Sequence, residues 1–198
     1  GEAGKLSTGE SVAVIERVTA RTDLPVVVGV SAPGVAAIEA LAKTAMDKGA
    51  AGVMVAPPGS LRTDAQITSY FQLIAEVLGD TPWVLQDFPL VTGVQISPAV
   101  LLEIFRTCPT CVMLKHEDWP GLDKISALRA AEAGGARRVS ILCGNGGQFL
   151  LEEMIRGADG AMTGFAFPEM MADVVTAMQT GDETRARDLF DAYMPLIR

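Results

Sequence analysis

The sequence predicts an α/β protein built on parallel strands, and three observations carry that prediction. Short apolar, β-branched runs recur along the chain, segments of helical periodicity separate them, and no hairpin signal joins one run to the next. The runs are also continuous rather than alternating, which fits strands buried on both faces; a half-solvated antiparallel strand would alternate apolar and polar residues.

Taken in order, the strand-like runs cover residues 25–29, 52–56, 83–88, 111–115, 139–143 and 160–164. Between them, Val35, Ile38, Leu41 and Ala45 mark one amphipathic helix, and Ile67, Phe71, Ile74 and Leu78 a second. Further helical stretches cover 98–106, 121–133 and 148–156, with Ser97-Pro98 as a start signal and Gly134-Gly135 as a stop. Ser7 reads as an N-cap ahead of the first strand. Six βα units in a row specify a parallel architecture. After Phe167 the rhythm changes: helices through 174–178 and 186–193 follow each other, broken by Thr180-Gly181-Asp182, with no strand between.

Six strands suit either an open doubly wound sheet or part of a closed barrel. The chain opens on Gly1-Glu2 without an initiating Met and runs straight into the helix that Ser7 caps. A complete (β/α)₈ TIM barrel takes about 250 residues. The expectation is therefore a (β/α)₈ barrel lacking its first strands, over residues 1–166, followed by part of a C-terminal helical domain over 167–198.

Composition narrows the function. The 198 residues are 49% hydrophobic, enough for one domain with a substantial core. A net charge of −8 argues against a nucleic-acid surface, which needs clustered Lys and Arg, but leaves room for a small anionic substrate in a locally cationic site. No apolar run approaches the roughly 20 residues of a membrane span, and no signal-peptide pattern opens the chain. Three cysteines make no disulfide framework, so the expected compartment is cytoplasmic. Cys108 and Cys111 have redox-motif spacing, but they fall where a helix hands over to a strand. They read as ordinary thiols, with no metal and no cofactor expected.

Lys115 is the singular residue. It ends the apolar run Cys111-Val112-Met113-Leu114, and by strand alternation shares a face with Cys111 and Met113. A barrel builds its active site at the C-terminal ends of its strands. Desolvation there favours the neutral amine, which can attack a ketone to form an imine. The bland reading, a strand-terminal lysine snorkelling to solvent, is the commoner fate of such a residue on position alone. Glu117 shares the Lys115 face by alternation and could shuttle protons, or could equally cap a helix or meet a surface arginine. His116, the only histidine, turns to the opposite face and is expected to pack between strand and helices. Gly144-Asn145-Gly146-Gly147, between a strand and a helix, offers backbone N–H groups for an anion, or is simply a turn that needs glycine.

Read together, these segments resemble the dihydrodipicolinate synthase / N-acetylneuraminate lyase family across the whole chain. Gly1-Glu2 with Leu6-Ser7 and Glu10 is similar to the end of that family's Gly-Thr-Thr-Gly-Glu motif and the helix after it. Pro25-Val26-Val27-Val28-Gly29 and Val53-Met54-Val55-Ala56-Pro57 resemble its third and fourth strands. Leu85-Gln86-Asp87-Phe88-Pro89 with Thr92-Gly93 resembles the fifth, and Val112-Met113-Leu114-Lys115 the segment with the imine-forming lysine. Ile141-Leu142-Cys143-Gly144-Asn145 and Gly160-Ala161-Met162-Thr163 are similar to the seventh and eighth strands. The resemblance implies pyruvate-type chemistry on a small 2-oxo acid, no cofactor, and a homo-oligomer, dimer or tetramer. It implies Lys115 as the imine-forming residue and Gln86, at the position of the family's relay tyrosine, as catalytic candidates; Glu117 joins them by strand alternation alone. It also implies Gly1, Glu2, Gly144, Met162 and Thr163 as substrate-binding candidates.

Departures from the family pattern bear on the branch. Gln86 stands where the family carries its proton-relay tyrosine, Pro57-Pro58-Gly59 where it has Pro-Tyr-Tyr, and Val91 where the synthases have a carboxylate-binding arginine. The expected activity is dehydration or aldol cleavage of a 2-keto-3-deoxy sugar acid. Two rivals remain: a phosphate-binding barrel isomerase or aldolase using the 144–147 loop, and a non-catalytic binding or scaffold member of the fold.

Overall fold

The helices begin where side chains can satisfy their first N–H groups. In this computed structural model, which describes residues 5–119 and 121–198, Ser7 caps α1 (Thr8–Thr19) in a reciprocal capping box. Its Oγ accepts from the Glu10 N–H at 3.3 Å, and Glu10 Oε2 accepts from the Ser7 N–H at 2.9 Å. Gly1 and Glu2 lie outside the described residues.

The chain divides into two units, residues 1–112 and 113–198. In the first, β1 (Val27–Gly29), β2 (Gly52–Val55) and β3 (Trp83–Asp87) pair in parallel in that order, Val28 opposite Val53 and Met54 opposite Val84. Strand β1 alternates with α2 (Val35–Asp47), and β2 with α3 (Asp64–Leu78). Strand β3 is followed by the single turn α4 (Pro89–Thr92) and by α5 (Pro98–Thr107). The helices face the strands with Ile38, Ile67, Phe71, Ile74, Leu101 and Ile104, all essentially buried. Phe71 stacks on Trp83 at 5.7 Å between ring centroids.

The second unit begins within β4 (Cys111–His116), which pairs in parallel with β5 (Ser140–Cys143), and β5 pairs in parallel with β6 (Gly160–Ala161). Helix α6 (Leu122–Ala133) lies between β4 and β5, and a 3₁₀ turn (Asn145–Gly147) with α7 (Leu150–Ile155) between β5 and β6. Then come α8 (Pro168–Gln179) and α9 (Glu183–Ile197), broken at Gly181 (φ +81°) as the sequence predicts; the structure adds Asp182 as the cap of α9. At the N-terminal ends of these strands Arg129 donates to the carbonyls of Val139 and Gly157 and pairs with Asp159 at 2.7 Å. Asp159 in turn accepts from the Ile141 N–H at 2.8 Å and also pairs with Arg138. This network pins β5 and β6 at the end opposite to Lys115, so the register at the C-terminal ends is fixed from below.

The observed strands match the predicted runs, with β6 shorter at its C-terminal end. After Ala161 the ladder is continued by one bond, the Met162 N–H to the Cys143 carbonyl at 2.8 Å. The architecture is α/β with parallel strands, consistent with part of a TIM barrel. Among the described residues, no helix is long and apolar enough to cross a membrane.

Tyr70 on α3 supplies a test of the first unit. Its hydroxyl is buried without a hydrogen-bond partner among the described residues, and burial pushes its pKa up to about 12. The unfolded chain releases this proton near 10.0, so ionisation of the group has no effect on stability below that pH. Between pH 10 and about 12 the unfolded state ionises first and stability falls as pH rises. Tyr70→Phe is expected to leave stability at pH 7 unchanged or up to ~1 kcal/mol higher, because it removes an unmet polar group. It should also flatten the decline of the urea midpoint above pH 10. An equally steep decline in the variant would refute this account.

Candidate active site at the end of β4

Strand alternation sends the side chains of β4 in two directions. Leu114 and His116 are fully buried, whereas the Lys115 side chain is 15% exposed. Its Nζ stands 3.1 Å from Oε1 of Glu117, whose side chain is 6% exposed. The amine is thus held away from bulk water beside a carboxylate, the arrangement that alternation over residues 115 and 117 anticipates.

Glu117 is fixed from its other oxygen. Oε2 accepts the backbone N–H of Asn145 at 3.0 Å, at the start of the 3₁₀ turn. A Cβ on Gly144 would lie 2.2 Å from Cγ of Glu117, so glycine at 144 is required by the close approach of this side chain. The backbone of Gly144 is itself engaged: its N–H donates to the His116 carbonyl at 2.9 Å, and its carbonyl accepts from Gly147 at 2.8 Å. The turn after it is left-handed at three successive residues, Asn145 at φ +47°, Gly146 at +69° and Gly147 at +76°.

On the opposite face, His116 Nδ1 stands 3.2 Å from Oε2 of Glu153 on α7. The distance is that of an ion pair. However, neither ring nitrogen, nor that oxygen, completes a hydrogen bond among the described residues, so the contact is electrostatic rather than a well-aligned bond. Cys143 lies on this buried face; burial first, and then the Glu153 carboxylate, push its thiol well above the usual range. The Cys143 thiol therefore favours its protonated form. Cys108 and Cys111 are likewise free and buried.

The remaining predicted residues fall as follows. Met162 is half-buried and tied by its N–H to Cys143. Thr163 accepts the Phe165 N–H at 3.1 Å through its hydroxyl. With Leu142, the register partner of Lys115, Thr163 lines a mostly apolar cavity of about 350 Å³ that also touches Phe165 and Met171. Gln86 sits half-buried near the end of β3 in the first unit, one residue before the fully buried Asp87. The structure thus brings Lys115, Glu117 and Gly144 together. Sequence reasoning missed Asn145 as the group holding Glu117 and Glu153 as the neighbour of His116. Both contacts join residues far apart in the chain, and only the glycine run hinted at the first.

Parallel α/β architecture with a half-buried lysine at a strand's C-terminal end, beside a carboxylate and a glycine turn, defines a lysine-bearing barrel-type protein. The dihydrodipicolinate synthetase family matches over residues 1–198, and the chain belongs to that family. It is 32% identical to the 4-hydroxy-tetrahydrodipicolinate synthase of Methanococcoides burtonii, over all of this chain and 67% of that protein. It is 28% identical to the L-2-keto-3-deoxyarabonate dehydratase of Azospirillum brasilense, over 93% of this chain and 59% of that one. The crystal structure of dihydrodipicolinate synthase from Rhodopseudomonas palustris superposes with a TM-score of 0.97 at 56% identity, covering all of this chain and 67% of that one. The chain therefore spans about two thirds of the length of these relatives.

The seat of Glu117 gives the test. Gly144→Ala is expected to cost about 1–3 kcal/mol by overpacking, because the neighbour it meets is also held by Lys115 and Asn145. Urea unfolding measures it; a variant as stable as the parent would show that Glu117 moves aside freely.

Proposed function

We propose that this chain is the catalytic part of a lyase in which Lys115 forms a Schiff base with the ketone of a 2-oxo acid. The observation that carries the reading is the Lys115 amine, mostly withdrawn from solvent and 3.1 Å from a buried carboxylate. Glu117 is within reach to take a first proton from Nζ, which then attacks the C2 carbonyl carbon as the neutral amine. A second proton passes from the nitrogen to the new alkoxide, giving the carbinolamine; Glu117 returns the first to its hydroxyl, which departs as water and leaves the protonated imine. The protonated imine then draws electrons from C3. In dehydration C3 loses a proton and the C4 hydroxyl leaves as water; in aldol cleavage the C3–C4 bond breaks and an aldehyde departs. Gly144, Met162 and Thr163 are the candidates on this unit for holding the substrate, with Gly1 and Glu2 expected from the sequence.

We read the branch from three positions. Gln86, Val91 and the Pro57-Pro58-Gly59 segment lack the phenols and the guanidinium that the family pattern assigns to synthesis of dihydrodipicolinate. That favours dehydration or cleavage of a 2-keto-3-deoxy sugar acid, with the dehydration arm preferred, and the Azospirillum brasilense relative bears such a name. Most of the curated relatives bear the synthase name instead, so the branch rests on these residues and not on overall identity. The same reading takes residues 1–166 as barrel, 167–198 as the start of a helical domain, and the whole protein as a homo-oligomer.

Two outcomes test this. Incubation with pyruvate or a keto-deoxy sugar acid followed by borohydride should add the mass of the reduced adduct to the intact protein, and Lys115→Ala should abolish the gain. No adduct on the full-length protein would remove the imine. Glu117→Gln should lower kcat by about 10²–10⁴, the usual worth of a positioned acid–base group. Unchanged turnover would assign the proton transfers to another group.

A further inference from the structure

The 3₁₀ turn that holds Glu117 runs through three successive left-handed residues, two of them glycines that adopt this conformation freely. The third, the non-glycine Asn145, needs support from its surroundings. Part of that support arrives from the far end of α9. Arg198 donates through Nε and Nη2 to the Gln148 carbonyl at 3.1 and 2.8 Å, directly after the turn. Its Nη2 also meets Oε1 of Glu152 at 3.0 Å, and its guanidinium carbon lies 4.7 Å from the centroid of the Phe149 ring.

Phe149 carries the contact onward. Its ring packs against Trp119 at 5.9 Å between centroids, tilted by 45°. Trp119 lies two residues beyond Glu117 and is 48% exposed, unusual for a tryptophan with no other ring contact among the described residues. One arginine is therefore linked to both segments that build the site: the turn, through Gln148, and the stretch after β4, through Phe149 and Trp119.

We propose that Arg198, Phe149 and Trp119 form a clasp that locks the turn at Asn145–Gly147 against the segment carrying Glu117, making Arg198 a positioning residue for the Lys115–Glu117 pair. The clasp rests on coordinates alone; only its effect on substrate rests on the imine reading. Loosening it should free the Asn145 N–H from Glu117 and widen the range of positions open to the carboxylate. The chemistry of the amine itself is untouched.

The experiment compares Arg198→Ala and Arg198→Lys with the parent in the full-length protein. In Arg198→Ala, amide hydrogen exchange over residues 144–149 should quicken about three- to tenfold, the size expected when partly exposed charge and ring contacts are lost. Exchange in β4 and β5 should stay unchanged. Trp119 emission should shift to the red, with Trp119→Phe identifying its share against buried Trp83. On the 2-oxo acid, kcat should fall by a similar factor with KM nearly constant, because a displaced Glu117 slows the proton transfers, and Arg198→Lys should restore part of it through its charge. Unchanged exchange over 144–149 overturns the clasp even if pyruvate is trapped on Lys115. Uniformly faster exchange through the whole second unit, with a large fall in melting midpoint, also overturns it by showing a merely structural role. If no adduct forms on the parent protein, the imine reading fails while the exchange measurement still decides the clasp.

Discussion

A carboxylate occupying the space where Gly144 lacks a Cβ is the constraint on which the rest of the site depends. Burying Glu117 strips it of water, a cost of several kcal/mol unless charge and hydrogen bonds offset it. Here the offset comes from two directions, the Lys115 ammonium on Oε1 and the Asn145 N–H on Oε2. Both partners are supplied by the parallel pairing of β4 with β5, which sets Lys115 opposite Leu142 and His116 opposite Cys143. A one-residue slip would send Lys115 to the helix-facing side and His116 to the substrate side. The Arg129–Asp159 network fixes β5 against β6 at their other end.

The two faces of β4 thus divide the labour. Leu114 and His116 pack inward among Ile125, Ile141 and Cys143, and their burial holds the strand still. Lys115 and Glu117 project the other way, where a reacting molecule can reach them. The poorly aligned His116–Glu153 contact sits on the quiet face, next to a thiol that burial keeps protonated. Its role is to fill and polarise the space between β4 and α7, and it supplies no nucleophile. An unmet polar pair of this kind costs stability, and the apolar residues around it carry that cost.

Much of this was legible in the sequence, for reasons that can be named. The strands were readable because continuous apolar runs bounded by glycine and proline have few other fates, and the Ser7 and Ser97 starts because each satisfies a helix's free N–H groups. The facing of Lys115 and Glu117 followed from a period of two. The start of α7 did not: a helix from residue 148 was expected, yet Phe149 at φ −124° and ψ 26° lies outside the helical region and α7 begins at Leu150. Helix α4 was missed because four residues give no periodicity to read. Gly144 was read as a backbone contact for substrate, whereas its visible duty is to make room for Glu117. That duty is a contact between residues 117 and 144, and no local pattern encodes it.

On the proposed lyase reading, a carboxylate at residue 117, in place of a phenol, as the group nearest the amine has a chemical consequence. A phenol ordinarily ionises near pH 10 and a carboxyl near pH 4, so at neutral pH the first begins as a proton donor and the second as an acceptor. Forming an imine from an ammonium requires an acceptor first, and losing water requires the same proton back on oxygen. A carboxylate fixed 3.1 Å from the nitrogen can serve both steps without a chain of intermediaries. Condensation with a second, bulky aldehyde partner asks instead for a donor placed far enough from the amine to meet the new alkoxide. On that proposed reading, a carboxylate close to the nitrogen and clamped by Asn145 would serve elimination from a single bound molecule better than addition of a second one.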